Sequence, residues 1–125
     1  MKEIISTEKA PKAIGPYSQG IAFKDLIFTS GQLPIDPTTG ELECSDIKRA
    51  TELSIKNVIA VLEEKGSSVD KVIKATIFVK DMNMFADINE VYGRFFSENS
   101  PARSCVQVAK LPKDALIEIE AIAYI

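Results

Sequence analysis

Histidine is absent from all 125 residues. That omission removes Ser-His-Asp and Cys-His nucleophile triads, and nearly every zinc hydrolase site, from the chemistry open to the chain. Cysteine is scarce: Cys44 and Cys105 stand far apart with no CxxC spacing. This argues against a disulfide framework or a thiolate zinc site and fits free thiols in a reducing compartment. No apolar run approaches the ~20 residues a membrane span needs, and no charged-then-apolar leader opens the chain. The expectation is a soluble cytoplasmic protein with no membrane partner. Positive charge is not in excess either. The 15 Lys and Arg residues against 18 Asp and Glu give a net charge of −3, dispersed without a basic run. Nothing in that balance offers a phosphate-binding footprint, so a nucleic-acid partner is not expected. Any chemistry must come from Arg, Glu, Tyr, Ser, Cys or backbone groups.

What is present is a core-forming composition, 46% hydrophobic and 26% charged, with no repeat, low-complexity tract or linker. We expect a single domain over residues 1–125. The most informative residue is Arg103, set in an otherwise apolar, strand-like segment just beyond Pro101. A later segment, from Ala115 to Ile125, alternates in the same extended manner and carries Glu118 and Glu120 among Ile117, Ile119, Ala121 and Ile122. If the two segments pair, a fixed cation faces a carboxylate. Two readings follow. Arg103 and Glu118 neutralise each other as a structural ion pair, or Arg103 holds the carboxylate of a small ligand while Glu118 acts on water beside it.

Periodicity supplies the framework. Lys2 to Ser6 reads as a short strand, and Gln19–Phe23 with Leu26–Ser30 reads as a hairpin turned at Lys24-Asp25, an unfavoured turn pair. Gly31 to Pro34 breaks that strand. From Ser45 to Gly66 the apolar residues Ile47, Ala50, Leu53, Val58, Val61 and Leu62 form one helical stripe, with Ser45 or Asp46 as cap and Gly66 as stop. Val72 to Val79 alternates as a half-buried strand, with Ile73, Ala75, Ile77 and Val79 on one face. A second helix runs from about Asn83 to Phe96, with Phe85, Ile88, Val91, Tyr92 and Phe95 as an apolar stripe at helical spacing, and two strands finish the chain. This order predicts an α+β fold with a mainly antiparallel sheet and both helices on one face. The uncovered face is expected to carry Phe78, Leu116, Ile122 and Tyr124 beside Arg103, Cys105, Glu118 and Glu120. Apolar surface mixed with uncompensated charge predicts a symmetric oligomer with sites between subunits.

Several motifs then point to one family. Gly15-Pro16-Tyr17-Ser18-Gln19-Gly20, Phe28-Thr29-Ser30-Gly31-Gln32-Leu33-Pro34, Pro101-Ala102-Arg103-Ser104-Cys105-Val106-Gln107-Val108-Ala109, Leu111-Pro112-Lys113-Asp114 and Ile117-Glu118-Ile119-Glu120-Ala121 occur in this order. Together they resemble the RidA branch of the Rid (YjgF) family, over essentially the whole chain. The resemblance implies a chorismate-mutase-like fold, a homotrimer with three intersubunit clefts, and hydrolytic deamination of enamine and imine intermediates such as 2-iminobutanoate and 2-iminopropanoate to 2-oxo acids and ammonia.

It also implies roles. Arg103 would clamp the carboxylate of the imino acid substrate, Glu118 would deprotonate the attacking water, and the Pro112 carbonyl would help hold that water. Tyr17 would cover the cleft mouth, Ser30 and Gly31 would line it, and Asn89 would lie near the ligand. Cys105 would line the site without acting as a nucleophile, since no base is present to activate it, and Glu120 would bond across the subunit contact. No metal or organic cofactor is required, because a protonated imine is already electrophilic. The rival readings are a metabolite-binding or regulatory protein using the same cleft, and the ribonuclease or translation-inhibitor activity reported in the family, against which the acidic charge balance and missing histidines count.

Overall fold

The computed structural model describes residues 1–125. In chain order the elements are β1 (Glu3–Ile5), β2 (Gly20–Phe23), β3 (Leu26–Thr29), α1 (Ile47–Glu64), β4 (Val72–Val79), α2 (Phe85–Phe95), β5 (Ala102–Gln107) and β6 (Ile117–Tyr124). The strands form one six-stranded sheet in the order β1-β2-β3-β6-β4-β5. Every pairing is antiparallel except β4 with β5.

Local sequence explains most boundaries. Asp46 caps α1 by accepting from the amides of Lys48 and Arg49 at 3.0 and 3.2 Å, and Gly66, at φ +82, closes it in a conformation that disfavours a side chain. The apolar stripe Ala50, Leu53, Val58, Val61 and Leu62 is buried as expected. The Lys24-Asp25 turn forms despite its chemistry, with Lys24 at φ 55. The sheet alternates in register with this core: Ala75, Ile77, Val79, Ile117, Ile119, Ala121 and Ala123 are buried with residues of both helices. The helices thus cover one face. Ile4, Phe28 and Tyr124 stand exposed on the other, and Phe78 and Ile122 are partly covered there.

Two expectations need correction. Ile73 does not join Ala75 and Ile77, because a bulge between Val72 and Lys74 shifts the phase and leaves Ile73 45% exposed. More consequentially, β5 and β6 are not neighbours. The chain passes from β4 through α2 to β5, a helix crossover that delivers a parallel partner on the sheet's outer edge, and β6 enters between β3 and β4.

One buried amide fixes the loop leading away from the sheet. Asn57, only 2% exposed, donates from Nδ2 to the Leu33 and Ile35 carbonyls at 3.1 and 2.9 Å. Asn57→Leu leaves both carbonyls without that donor. Chemical denaturation is expected to show a loss of about 2 kcal/mol or more; a change within about 0.5 kcal/mol, the range of an ordinary surface substitution, would contradict this role.

Candidate functional site

Glu118 sits in β6 opposite Phe78 of β4, on the sheet face away from the helices. It forms one wall of a cleft of about 850 Å³ lined also by Tyr17, Ser30, Gly31, Gln32, Pro112 and Lys113. The end of β3 makes the close approach. Beyond Thr29 the chain leaves its ladder with β6 and rejoins it only at Gln32, whose amide and carbonyl bond Ile119 at 2.8 and 3.1 Å. Gly31 lies in that gap, directly against Glu118: a Cβ there would stand 2.6 Å from both Cδ and Oε2. Glycine here leaves room for the Glu118 carboxyl, which a side chain would push aside.

The other walls are tied down locally. Ser30 Oγ donates to the Ser18 carbonyl at 2.5 Å, joining the strand end to the loop that carries Tyr17. Tyr17, 51% exposed, accepts at its hydroxyl from the Ile14 amide at 3.3 Å. Gln19, 4% exposed, holds the preceding strap through its side chain: it accepts from Thr7 N at 2.7 Å and donates to the Pro11 carbonyl at 2.7 Å. Pro112 and Lys113 are presented by a turn with Lys113 and Asp114 at φ 57 and 54, and Asp114 is pinned by Lys80 at 3.0 Å. The Pro112 carbonyl accepts from Ala115 N at 3.1 Å and retains a second lone pair.

Within the chain the Glu118 carboxylate has no cation. Burial, with a smaller contribution from the Glu120 carboxylate, pushes its pKa above the ordinary 4.5. A carboxyl raised in this way is a better proton acceptor once ionised than an exposed glutamate.

Arg103 occupies the opposite side of the sheet. Its β5 position is in register with Ala75, and Cys105 with Ile77, so both point to the helix-covered face. There the guanidinium lies 4.8 Å from the Tyr92 ring and 5.5 Å from the Phe85 ring, and Nη1 donates to Asn89 Oδ1 at 2.7 Å. No carboxylate pairs with it, whereas the chain's other two arginines, Arg49 and Arg94, both have acidic partners. Cys105 packs against the core with its sulfur 4.0 Å from Met82 Sδ, and burial pushes its thiol pKa up, only partly offset by Arg103. That favours the neutral thiol over a nucleophilic thiolate.

The expectation that Arg103 and Cys105 share the uncovered face with Glu118 and Glu120 is thus overturned. So is the reading of Arg103 and Glu118 as a structural ion pair within one chain. Arg103, Asn89 and Cys105 form one half-site; Glu118, Tyr17, Ser30, Gly31 and Pro112 form another, across the sheet. No three side chains of metal-ligating type converge anywhere in the chain.

The fold and these residues match known proteins. The family model described as Endoribonuclease L-PSP matches residues 7–125. The chain belongs to that family, the Rid (YjgF) family of the sequence resemblance. A RutC family protein of Pyrococcus abyssi is 57% identical over 98% of this chain and 97% of its own length. The protein of Escherichia coli K12 named 2-iminobutanoate/2-iminopropanoate deaminase is 51% identical over 98% of each chain. The crystal structure of E. coli TdcF with bound serine superposes with a TM-score of 0.95 at 52% identity, covering 98% of both chains.

As a Rid-family chain, its sequence under-reported three residues around the site. Phe85 and Tyr92 read only as part of the apolar stripe of α2, although their spacing to Asn89 (i, i+4, i+7) already set all three on one helical face. Gln19 read only as part of a motif; a glutamine among strand residues was the available signal.

Because Gly31 bears on Glu118, Gly31→Ala is expected to fold but to displace the Glu118 carboxyl. NMR titration of that carboxyl should show its pKa moved toward the ordinary value as the group turns to solvent. An unchanged titration would mean that Gly31 does not set its position.

Proposed function

We propose that the protein is an enamine/imine deaminase that hydrolyses small 2-imino acids, such as 2-iminobutanoate and 2-iminopropanoate, to 2-oxo acids and ammonia. The observation that carries this reading is the separation of an unneutralised arginine from an unneutralised, pKa-raised glutamate on opposite faces of one sheet. A closed ring of three copies unites them, with Arg103 of one subunit over the Glu118 cleft of the next. Two different patches meeting head to tail close into a ring by rotation. The exposed face with Ile4, Phe28 and Tyr124 is the surface such a ring would bury. The 2-imino acid relatives' name and the serine bound to TdcF support a small amino-acid-like substrate.

In this mechanism Arg103 forks onto the substrate carboxylate and sets the imine carbon beside Glu118. Glu118 takes a proton from water as the water oxygen bonds to the protonated imine carbon, giving a carbinolamine. It returns that proton to the amine nitrogen. The hydroxyl then loses its proton to Glu118 as the C–N bond breaks with its electron pair on nitrogen, releasing ammonia and the 2-oxo acid. The Pro112 carbonyl accepts a hydrogen bond from the water, Tyr17 closes the mouth, and Ser30 and Gly31 hold the wall. Cys105 lines the Arg103 side. Protein groups alone supply position and the proton path. Phosphodiester cleavage is disfavoured by the net charge of −3 and the absence of histidine.

The test is 2-oxo acid release from a threonine dehydratase reaction containing semicarbazide to trap free imine. Wild type should accelerate release, and Arg103→Lys should lower kcat/KM about a hundredfold, because a point charge replaces a fork. Glu118→Gln should abolish turnover yet still bind 2-oxobutanoate. Since Glu118 acts ionised and its pKa lies above 4.5, activity should fall as pH drops through that raised value. Unaccelerated hydrolysis by folded, oligomeric protein that still binds 2-oxobutanoate would favour metabolite binding without turnover.

A further inference from the structure

The guanidinium of Arg103 is held by neutral groups alone. Phe85, Asn89 and Tyr92 follow one another at i, i+4 and i+7 on α2 and meet it from the helix side. A guanidinium has only donors, so the group facing Nη1 must be the Asn89 carbonyl oxygen. The Tyr92 hydroxyl, buried and without a hydrogen-bond partner, gives the residue no polar role in the chain, so its service to Arg103 is that of its ring face. Nε and Nη2 form no hydrogen bond within the chain, leaving the side-on pair of donors complete.

We propose that Phe85, Asn89 and Tyr92 are positioning residues that orient Arg103 without neutralising it, so that a ligand carboxylate docks side-on at Nε and Nη2. This rests on the carboxylate-clamp reading above. The arrangement solves a specific conflict. An aspartate at position 89 would orient the guanidinium at least as well, and would form an ion pair, but it would compete for the charge that the ligand needs. Neutral asparagine fixes one edge and leaves the charge. The two rings set the plane of the fork, and ring faces attract a cation without cancelling it.

The decisive variant is Asn89→Asp, on an exposed helix surface where folding is not at risk. Thermal unfolding should be unchanged or improved, while the affinity for 2-oxobutanoate, measured by calorimetry, falls about tenfold or more. The same variant should raise KM for the imine with little change in kcat. Phe85→Leu and Tyr92→Leu should each weaken 2-oxobutanoate binding several-fold, on the order of a desolvated cation–π contact, and Tyr92→Phe should restore what Tyr92→Leu loses. If Tyr92→Leu fails to fold, Asn89→Asp and Phe85→Leu decide the matter. Wild-type affinity in folded Asn89→Asp would overturn the proposal while leaving the clamp reading intact. Failure of the wild-type protein itself to bind 2-oxobutanoate would overturn both.

Discussion

Side-chain alternation across three neighbouring strands governs this molecule. In β6 the phase that buries Ile117, Ile119 and Ala121 against the helices sends Glu118 to the far face. In β5 the register with Ala75 and Ile77 sends Arg103 and Cys105 to the helix face. A one-residue slip of β6 would exchange its buried residues for their half-covered neighbours, so the core fixes that phase, whereas β5, with no fully buried residue, takes its phase from the ladder with β4. The cation and the carboxylate that would otherwise neutralise each other are kept apart by the packing that makes the sheet stable.

The remaining features follow from that separation. Glu118, half-buried with no cation, is raised in pKa and backed by a glycine that gives it room. Arg103, with no anion, is stabilised by ring faces and one amide oxygen. Each half-site carries a charge with no oppositely charged partner within the chain. Such incompleteness is costly in an isolated subunit and becomes useful when another copy, or a ligand spanning two copies, supplies the missing group. The far face also exposes Ile4, Phe28 and Tyr124, apolar surface of the kind that favours association.

Much of this was legible in the sequence. The stripe of α1, its cap at Ser45 or Asp46, its Gly66 stop and the bounds of β4 follow from period and residue chemistry, whereas Gly31 read from the residues alone only as a break in the strand. The motif around Arg103 and Glu118 marked the right family. What the sequence could not show was which strands are neighbours. Chain proximity suggested β5 beside β6, yet the helix between β4 and β5 was itself the sign of a parallel crossover, which sends β5 to the edge. The bulge beside Ile73 was hidden for a related reason: an unbroken apolar alternation carries no mark of an inserted residue. The support of Arg103 was invisible because aromatic residues at helical spacing normally mean core, and Tyr92 is indeed buried.

The most direct measurement is complementation between two variants, each defective in one half-site. Arg103→Ala and Glu118→Gln proteins, inactive separately, would be co-expressed and assembled in equal amounts. If each site joins Arg103 of one subunit to Glu118 of the next, random mixing in a ring leaves about one site in four with both groups intact, and roughly a quarter of wild-type imine hydrolysis returns. No recovery from verified mixed oligomers would contradict the account, since it would mean that the arginine and the glutamate never act across a subunit boundary.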